Sequence, residues 1–194
     1  MSQVFWIRVQ GGVVSMNWSQ LRKQLQEGSP ERLIELLKGL YDLSPANKAF
    51  LRQQFSETPQ DTEFLEKCRQ QVIQAIYPPQ RQYPDYPKFS QARKAINEYK
   101  KATNDINGIV DPLLTYVERG TAFTGDFGDI DEPFYERLET ALSNAADLIT
   151  ASPTRIQLYQ NFRPRFLHLR KDAGWMGWGY GDAVKEIVAE LEAL

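Results

Sequence analysis

Residues 116–149 have the sequence YVERGTAFTGDFGDIDEPFYERLETALSNAADLI, in which two helical patterns flank a loop rich in glycine, aromatic and acidic residues. The first pattern predicts a helix that ends before Gly120. The triplet Asp131-Glu132-Pro133 predicts the start of the second helix, because aspartate is favoured at the N-cap and proline in the first turn. Apolar residues at helical spacing then predict one amphipathic helix with the longest apolar stripe of the chain, formed by Phe134, Leu138, Ala141, Leu142, Ala145, Leu148 and Ile149.

Similar patterns recur along the rest of the chain. Ser-Pro pairs at 29–30 and 44–45 are typical of helix starts. Only residues 3–9 and 13–15 show the alternation of a strand. We therefore predict an all-α fold, an irregular bundle of about eight or nine short amphipathic helices arranged as helix hairpins. One buried helical face is predicted from the spacing of Leu33, Leu36, Leu37 and Leu40.

Prolines divide the chain into segments. Residues 78–88 contain four prolines and predict a connector between an N-terminal helical unit, 16–77, and a C-terminal helical unit, 89–194, within one compact domain. Tyr83 and Tyr86 of this connector either form a polyproline-like ligand motif or pack on the protein's own surface, and we favour the second interpretation.

The start of the chain is ambiguous. Residues 1–15 form a doubtful N-terminal extension, because Met16 directly precedes a helical pattern. Whether Met1 or Met16 is the true start stays open.

Composition narrows the classes of function. The formal net charge is -2, which gives no general attraction to nucleic acid or to an anionic membrane. Cys68 and His168 are the only residues of their types, so one chain cannot supply a zinc site of several Cys and His ligands. The chain has no run of about 18 apolar residues that would predict a transmembrane helix. We expect a cytoplasmic protein without a cofactor, with Cys68 buried as a small apolar residue and His168 exposed without a carboxylate to orient it.

The acidic loop has two interpretations. Asp126, Asp129 and Asp131 are candidate ligands of a divalent cation, although their spacing does not fit an EF-hand loop. In the favoured interpretation the loop is structural: its glycines form tight turns, and Phe123 and Phe127 are anchored in the core. The glutamates of the following helix then form a solvated face.

A second unusual segment is GWMGWGYGD, residues 174–182. It predicts either an exposed aromatic recognition surface or a backbone that passes close to helices while its rings fill the core and Asp182 caps the next helix. We favour the core interpretation. If an interaction surface does exist, the candidate residues from both unusual segments are Phe123, Phe127, Trp175, Trp178 and Tyr180.

Two segments are basic. Residues 152–172 and 81–101 each carry a net charge of +4. Such patches either bind phosphate or nucleic acid, or pair with acidic groups of the same protein or a neighbour. The near-neutral chain favours the second interpretation.

The segments YVERGTAFTGDFGDIDEPFYERL and GWGYGD together resemble an uncharacterised bacterial family, domain of unknown function 6155. The segments SPERLIELLKGLY and NKAFLRQQF are similar to the opening of that family, and the resemblance spans about residues 19–190. It implies an all-helical fold and no established activity or catalytic residue. Residues 1–15 lie outside the similar region.

No complete catalytic constellation is visible in the sequence. The leading hypothesis is therefore a non-enzymatic helical protein-interaction module that binds a protein partner or a second copy of itself. The alternatives are a metal-dependent enzyme that uses the acidic loop and a phosphate-binding or nucleic-acid-binding protein that uses the basic helices. Nucleic acid is the less expected partner, and we expect no association with a membrane.

Overall fold

The computed structural model describes residues 17–55, 62–79, 85–103 and 105–194, with Gln53 described by its backbone alone. The predicted all-α class is confirmed: this part of the chain forms helices and contains no strand. Residues 1–15, Met16 and Tyr83 lie outside the described ranges, so the predictions about them stay open. The helices are α1 Trp18–Glu27, α2 Pro30–Leu43, α3 Pro45–Phe55, α4 Thr62–Ile76, α5 Phe89–Ala102, α6 Ile106–Phe127, α7 Glu132–Thr150, α8 Arg155–Ala173 and α9 Tyr180–Glu192.

Two predicted helix starts are confirmed in detail. The Ser29 hydroxyl accepts a hydrogen bond of 3.3 Å from the backbone amide of Arg32, and Pro30 opens α2. A carboxylate oxygen of Asp131 accepts a 2.9 Å hydrogen bond from the amide of Phe134. Each cap satisfies an amide that has no partner within its own helix.

The predicted end of the first helix before Gly120 is wrong. Helix α6 continues through Gly120 and Gly125 to Phe127. Gly120 lies in the contact between α6 and α7, where a Cβ atom would come within 2.3 Å of Leu138 Cδ2. The helix ends at Gly128, whose φ of 87° favours glycine and whose amide donates to the carbonyl of Thr124. The loop between α6 and α7 therefore covers only residues 128–131.

Prolines inside helices do not end them here. Pro112 lies within α6, and Pro164 lies within α8. A proline at such a position removes an amide donor, yet α8 is not split and continues from Arg155 to Ala173.

Helices α4 through α9 share one hydrophobic core, and α6 lies at its centre. Helix α4 packs on α5 and α6, and the amide of Lys88 donates a 2.8 Å hydrogen bond to the carbonyl of Ala75 across the connector. The connector therefore joins helices of one core. Cys68 is buried in this core as predicted, and burial raises the pKa of its thiol to about 12. Within the described ranges, no helix combines the length and the apolar character needed to cross a bilayer.

Candidate functional site

The two unusual segments of the sequence pack against each other. The hydroxyl groups of Thr121 on α6 and Tyr180 on α9 lie 2.8 Å apart. Tyr135 of α7 donates a hydrogen bond to Asp129, and its hydroxyl lies 2.7 Å from that of Thr124. The rings of Tyr135 and Tyr180 are 5.2 Å apart. One hydroxyl pair therefore joins α6 to α9, a second joins α6 to α7, and the contact between the Tyr135 and Tyr180 rings connects the two.

The candidate metal ligands contact three different groups. Asp126 accepts a 2.5 Å hydrogen bond from the Tyr77 hydroxyl, whereas Asp129 accepts from Tyr135 and Asp131 caps α7. Among the described residues, no three His, Cys, Asp or Glu side chains are grouped so that they could hold a metal ion. The geometry therefore gives the metal interpretation no support.

The predicted aromatic surface divides into exposed and buried members. Trp175, Trp178 and Phe127 are exposed, so the favoured prediction that Phe127 is anchored in the core is wrong. Phe123 and Tyr180 are buried, so they cannot belong to a recognition surface. Phe123 fills the core because its ring packs against those of neighbouring aromatic residues, with centroid distances of 5.0–5.9 Å to Phe127, Tyr77 and Phe134.

The favoured core interpretation of residues 174–182 is wrong for both tryptophans, because Met176 and Tyr180 fill the core instead. The backbone does pass close to neighbours: a Cβ atom on Gly181 would lie 2.7 Å from the carbonyl oxygen of Ala173. Helix α9 begins at Tyr180 after Gly179, so Asp182 lies in the first turn and is not the cap.

Two arginines of the basic segment 152–172 pair within the protein. Arg165 contacts Asp111 and lies 2.6 Å from a carboxylate oxygen of Glu118. Arg163 contacts Glu192 at 2.6 Å. For these two residues, the favoured interpretation of intramolecular pairing is confirmed. The expectation that no carboxylate orients His168 is wrong, because Asp172 lies 3.1 Å from its Nε2 atom one helical turn later.

The most unusual surface lies on α2. Five of its aliphatic residues are exposed: Ile34, Leu36, Leu37, Leu40 and Leu43. At 100° per residue the four leucines lie within about 120° of one another, and we call these four the α2 face; Ile34 lies outside this arc. The five side chains are between 42% and 75% exposed, although the spacing of the leucines predicts a buried stripe. Periodicity shows which side of a helix is apolar, but it does not show what covers that side. Helix α2 packs mainly on α3, and this contact leaves the α2 face uncovered by the described part of the chain.

Tyr86 packs on the protein's own surface, which confirms the favoured interpretation for this residue. Its ring lies 6.1 Å from that of Phe89 and 6.2 Å from that of Phe134.

Comparison with known proteins found no match among protein-family models, curated proteins or solved structures. The resemblance to the family of unknown function stays a prediction.

Proposed function

We propose that this chain is a non-enzymatic helical interaction module that self-associates through the α2 face. The observation that supports the proposal is the exposure of five large aliphatic side chains on one helix. Exposed apolar surface of this extent is unfavourable in water and is typical of interaction sites.

The α2 face supplies part of the area that a stable interface needs. Its leucines expose on the order of 400 Å², about half of the roughly 800 Å² that each partner contributes to a standard interface. A dimer through this face therefore also has to bury surface from neighbouring segments, and exposed apolar side chains occur on α3, where Phe50 and Phe55 are exposed.

Charge favours a second copy as the partner. Four of the five charged groups of α2 pair with each other: Arg32 lies 3.2 Å from Glu35, and Lys38 lies 3.0 Å from Asp42, which leaves only Glu31 of the first turn outside these pairs. The helix therefore presents no strong field of one sign that would select an oppositely charged partner. Two identical apolar faces can meet around a twofold axis without burying an unpaired charge.

Sedimentation equilibrium of the full chain tests this proposal over about a hundredfold range of protein concentration. We expect the wild-type protein to reach twice the 22.4 kDa mass of one chain. Leu40→Glu should remain monomeric, because dimerisation would bury its charge. The matched control is Ile156→Glu on α8, because Ile156 is 57% exposed and Leu40 is 51% exposed. The control should dimerise like the wild type.

Circular dichroism of each variant establishes that it is folded. A wild-type chain that stays monomeric would overturn self-association and would leave the α2 face to a different protein. Equal effects of the two substitutions would also contradict the proposal, because they would show that the α2 face is not the contact.

A further inference from the structure

A cleft runs between α5 and α7. Both helices pack on α6, but they barely contact each other, so α6 forms the floor of the cleft. At one end lies a cavity of about 400 Å³, whose apolar lining includes Ile96, Leu113 and Ala141. A second cavity of about 370 Å³ also contacts Ile96 and Leu113 and extends the cleft past Ile109 and Leu148. The cleft is therefore elongated, with an apolar floor along α6 and polar walls that include Lys100 and Asp147 at the second cavity, whose charges cancel.

The first cavity is also lined by a buried polar group without a partner. Tyr116 of α6 is fully buried, and its hydroxyl makes no hydrogen bond within the described part of the chain. Buried hydroxyl groups almost always have a hydrogen-bond partner. Burial also raises the pKa of Tyr116 to about 12, so the hydroxyl keeps its proton and can donate it to an acceptor.

Two arginines lie on opposite walls of this cavity, Arg93 on α5 and Arg137 on α7. Arg137 donates a 2.7 Å hydrogen bond to the carbonyl of Pro133, and its guanidinium lies 5.5 Å from the centre of the Phe89 ring. These contacts fix the position of its charge. Neither arginine forms an ion pair with a carboxylate of the described residues. Glu136 is the only acidic residue lining this cavity, which leaves a net charge of +1.

We propose that this cleft binds a small monocarboxylate with an extended apolar body. The carboxylate lies between Arg93 and Arg137 and, once a shift of the lining side chains opens the buried Tyr116 hydroxyl to the cavity, accepts a hydrogen bond from it. The apolar body lies along α6, over Leu113 and toward Leu148. A single negative charge matches the net charge of the lining, whereas a phosphate dianion would exceed it. The proposal does not depend on self-association, because the cleft lies on other helices.

Isothermal titration calorimetry with three probes tests the chemical class of the ligand. Sodium decanoate supplies both the carboxylate and the apolar chain, decanol supplies only the chain, and inorganic phosphate supplies only an anion. We expect decanoate to bind at least about tenfold more tightly than either other probe, because it alone uses both parts of the cleft. Decanoate that does not bind, or that binds no more tightly than decanol or phosphate, would overturn the proposal.

Three variants test the site itself. Arg93→Gln and Tyr116→Phe should each weaken decanoate binding by roughly tenfold. Lys94→Gln is the matched control, because Lys94 lies on the same helix but lines a different cavity with Gln91 and Glu98. It should bind like the wild type.

Tyr116→Phe also separates binding from folding. Because it removes only an unpartnered hydroxyl, its thermal unfolding without decanoate should be unchanged or shifted to higher temperature. Tyr116→Phe that binds decanoate as tightly as the wild type would contradict the assigned role of the hydroxyl. An Arg93→Gln effect no larger than that of Lys94→Gln would contradict the site.

Discussion

Gly120 lies where α7 packs closely on α6, and Leu138 occupies the space that a side chain at this position would need. A Cβ atom there would lie 2.3 Å from a terminal carbon of Leu138, which is itself fully buried and cannot move aside without disturbing the core. Gly125 lies in the same helix but faces open space. Two glycines with the same helical backbone therefore have different physical roles.

Alanine at these two positions should change stability in opposite directions. Gly120→Ala should lower the free energy of unfolding by about 1–3 kcal/mol, because overpacking at Leu138 outweighs the higher helix propensity of alanine. Gly125→Ala should raise it by up to about 1 kcal/mol, because only the propensity changes. Urea unfolding followed by circular dichroism measures both. Changes of the same sign would show that Gly120 does not limit the approach of α7.

At the residue scale, the sequence identifies local roles better than roles set by packing. The caps Ser29 and Asp131 were predictable, because a cap depends on residues within one turn. The role of Gly120 was not, because a glycine at a turn and a glycine in a close helix contact look alike in one sequence. The exposure of Phe127 and Trp175 likewise depends on distant neighbours, whereas the predicted burial of Phe123 is confirmed.

At the scale of elements, the C-terminal end of α9 is joined to α8 by one carboxylate. Glu192 accepts hydrogen bonds from Arg163 at 2.6 Å and from Tyr159 at 2.7 Å. The hydrogen bonds from Arg163 and then from Tyr159 lower the pKa of Glu192 from 4.5 to about 2. A carboxylate with a lowered pKa stabilises the folded state above its unfolded pKa, and this contribution is lost as the pH falls through the folded pKa.

Glu192→Gln should therefore reduce stability in a pH-dependent manner. At pH 7 the variant should have a lower free energy of unfolding than the wild type. The difference should shrink as the pH falls from 4.5 toward 2, because the wild-type carboxylate then becomes protonated. Urea unfolding at a series of pH values measures the difference. Glu186→Gln on the exposed side of α9 is the control and should have a smaller effect at pH 7. A difference for Glu192→Gln that is constant or grows on acidification would be inconsistent with this pairing.

At the scale of the whole molecule, helix type was predictable and helix arrangement was not. Apolar spacing indicated helices throughout. It predicted that the apolar stripes of α2 and α7 are both buried in the core. Of these two helices, α7 has neighbours that cover its stripe and α2 does not. The cleft between α5 and α7 was also unpredictable, because Arg93, Tyr116 and Arg137 come from three helices and share no sequence motif.

The distribution of buried residues predicts that α1–α3 are dispensable for folding. In these helices Ala49 is the only described residue that is buried, whereas the largest fully buried side chains all lie at or beyond Ile76. A chain of residues 57–194 should therefore unfold cooperatively on heating, and it should be monomeric in sedimentation because it lacks the α2 face.

A chain of residues 89–194 is the control. It also lacks α4, including the buried Val72 and Ile76, and should lose cooperative unfolding because the core is opened. Loss of cooperative unfolding in the 57–194 chain would show that α1–α3 are part of the folding core, and persistence of its dimer would show that the α2 face is not the contact.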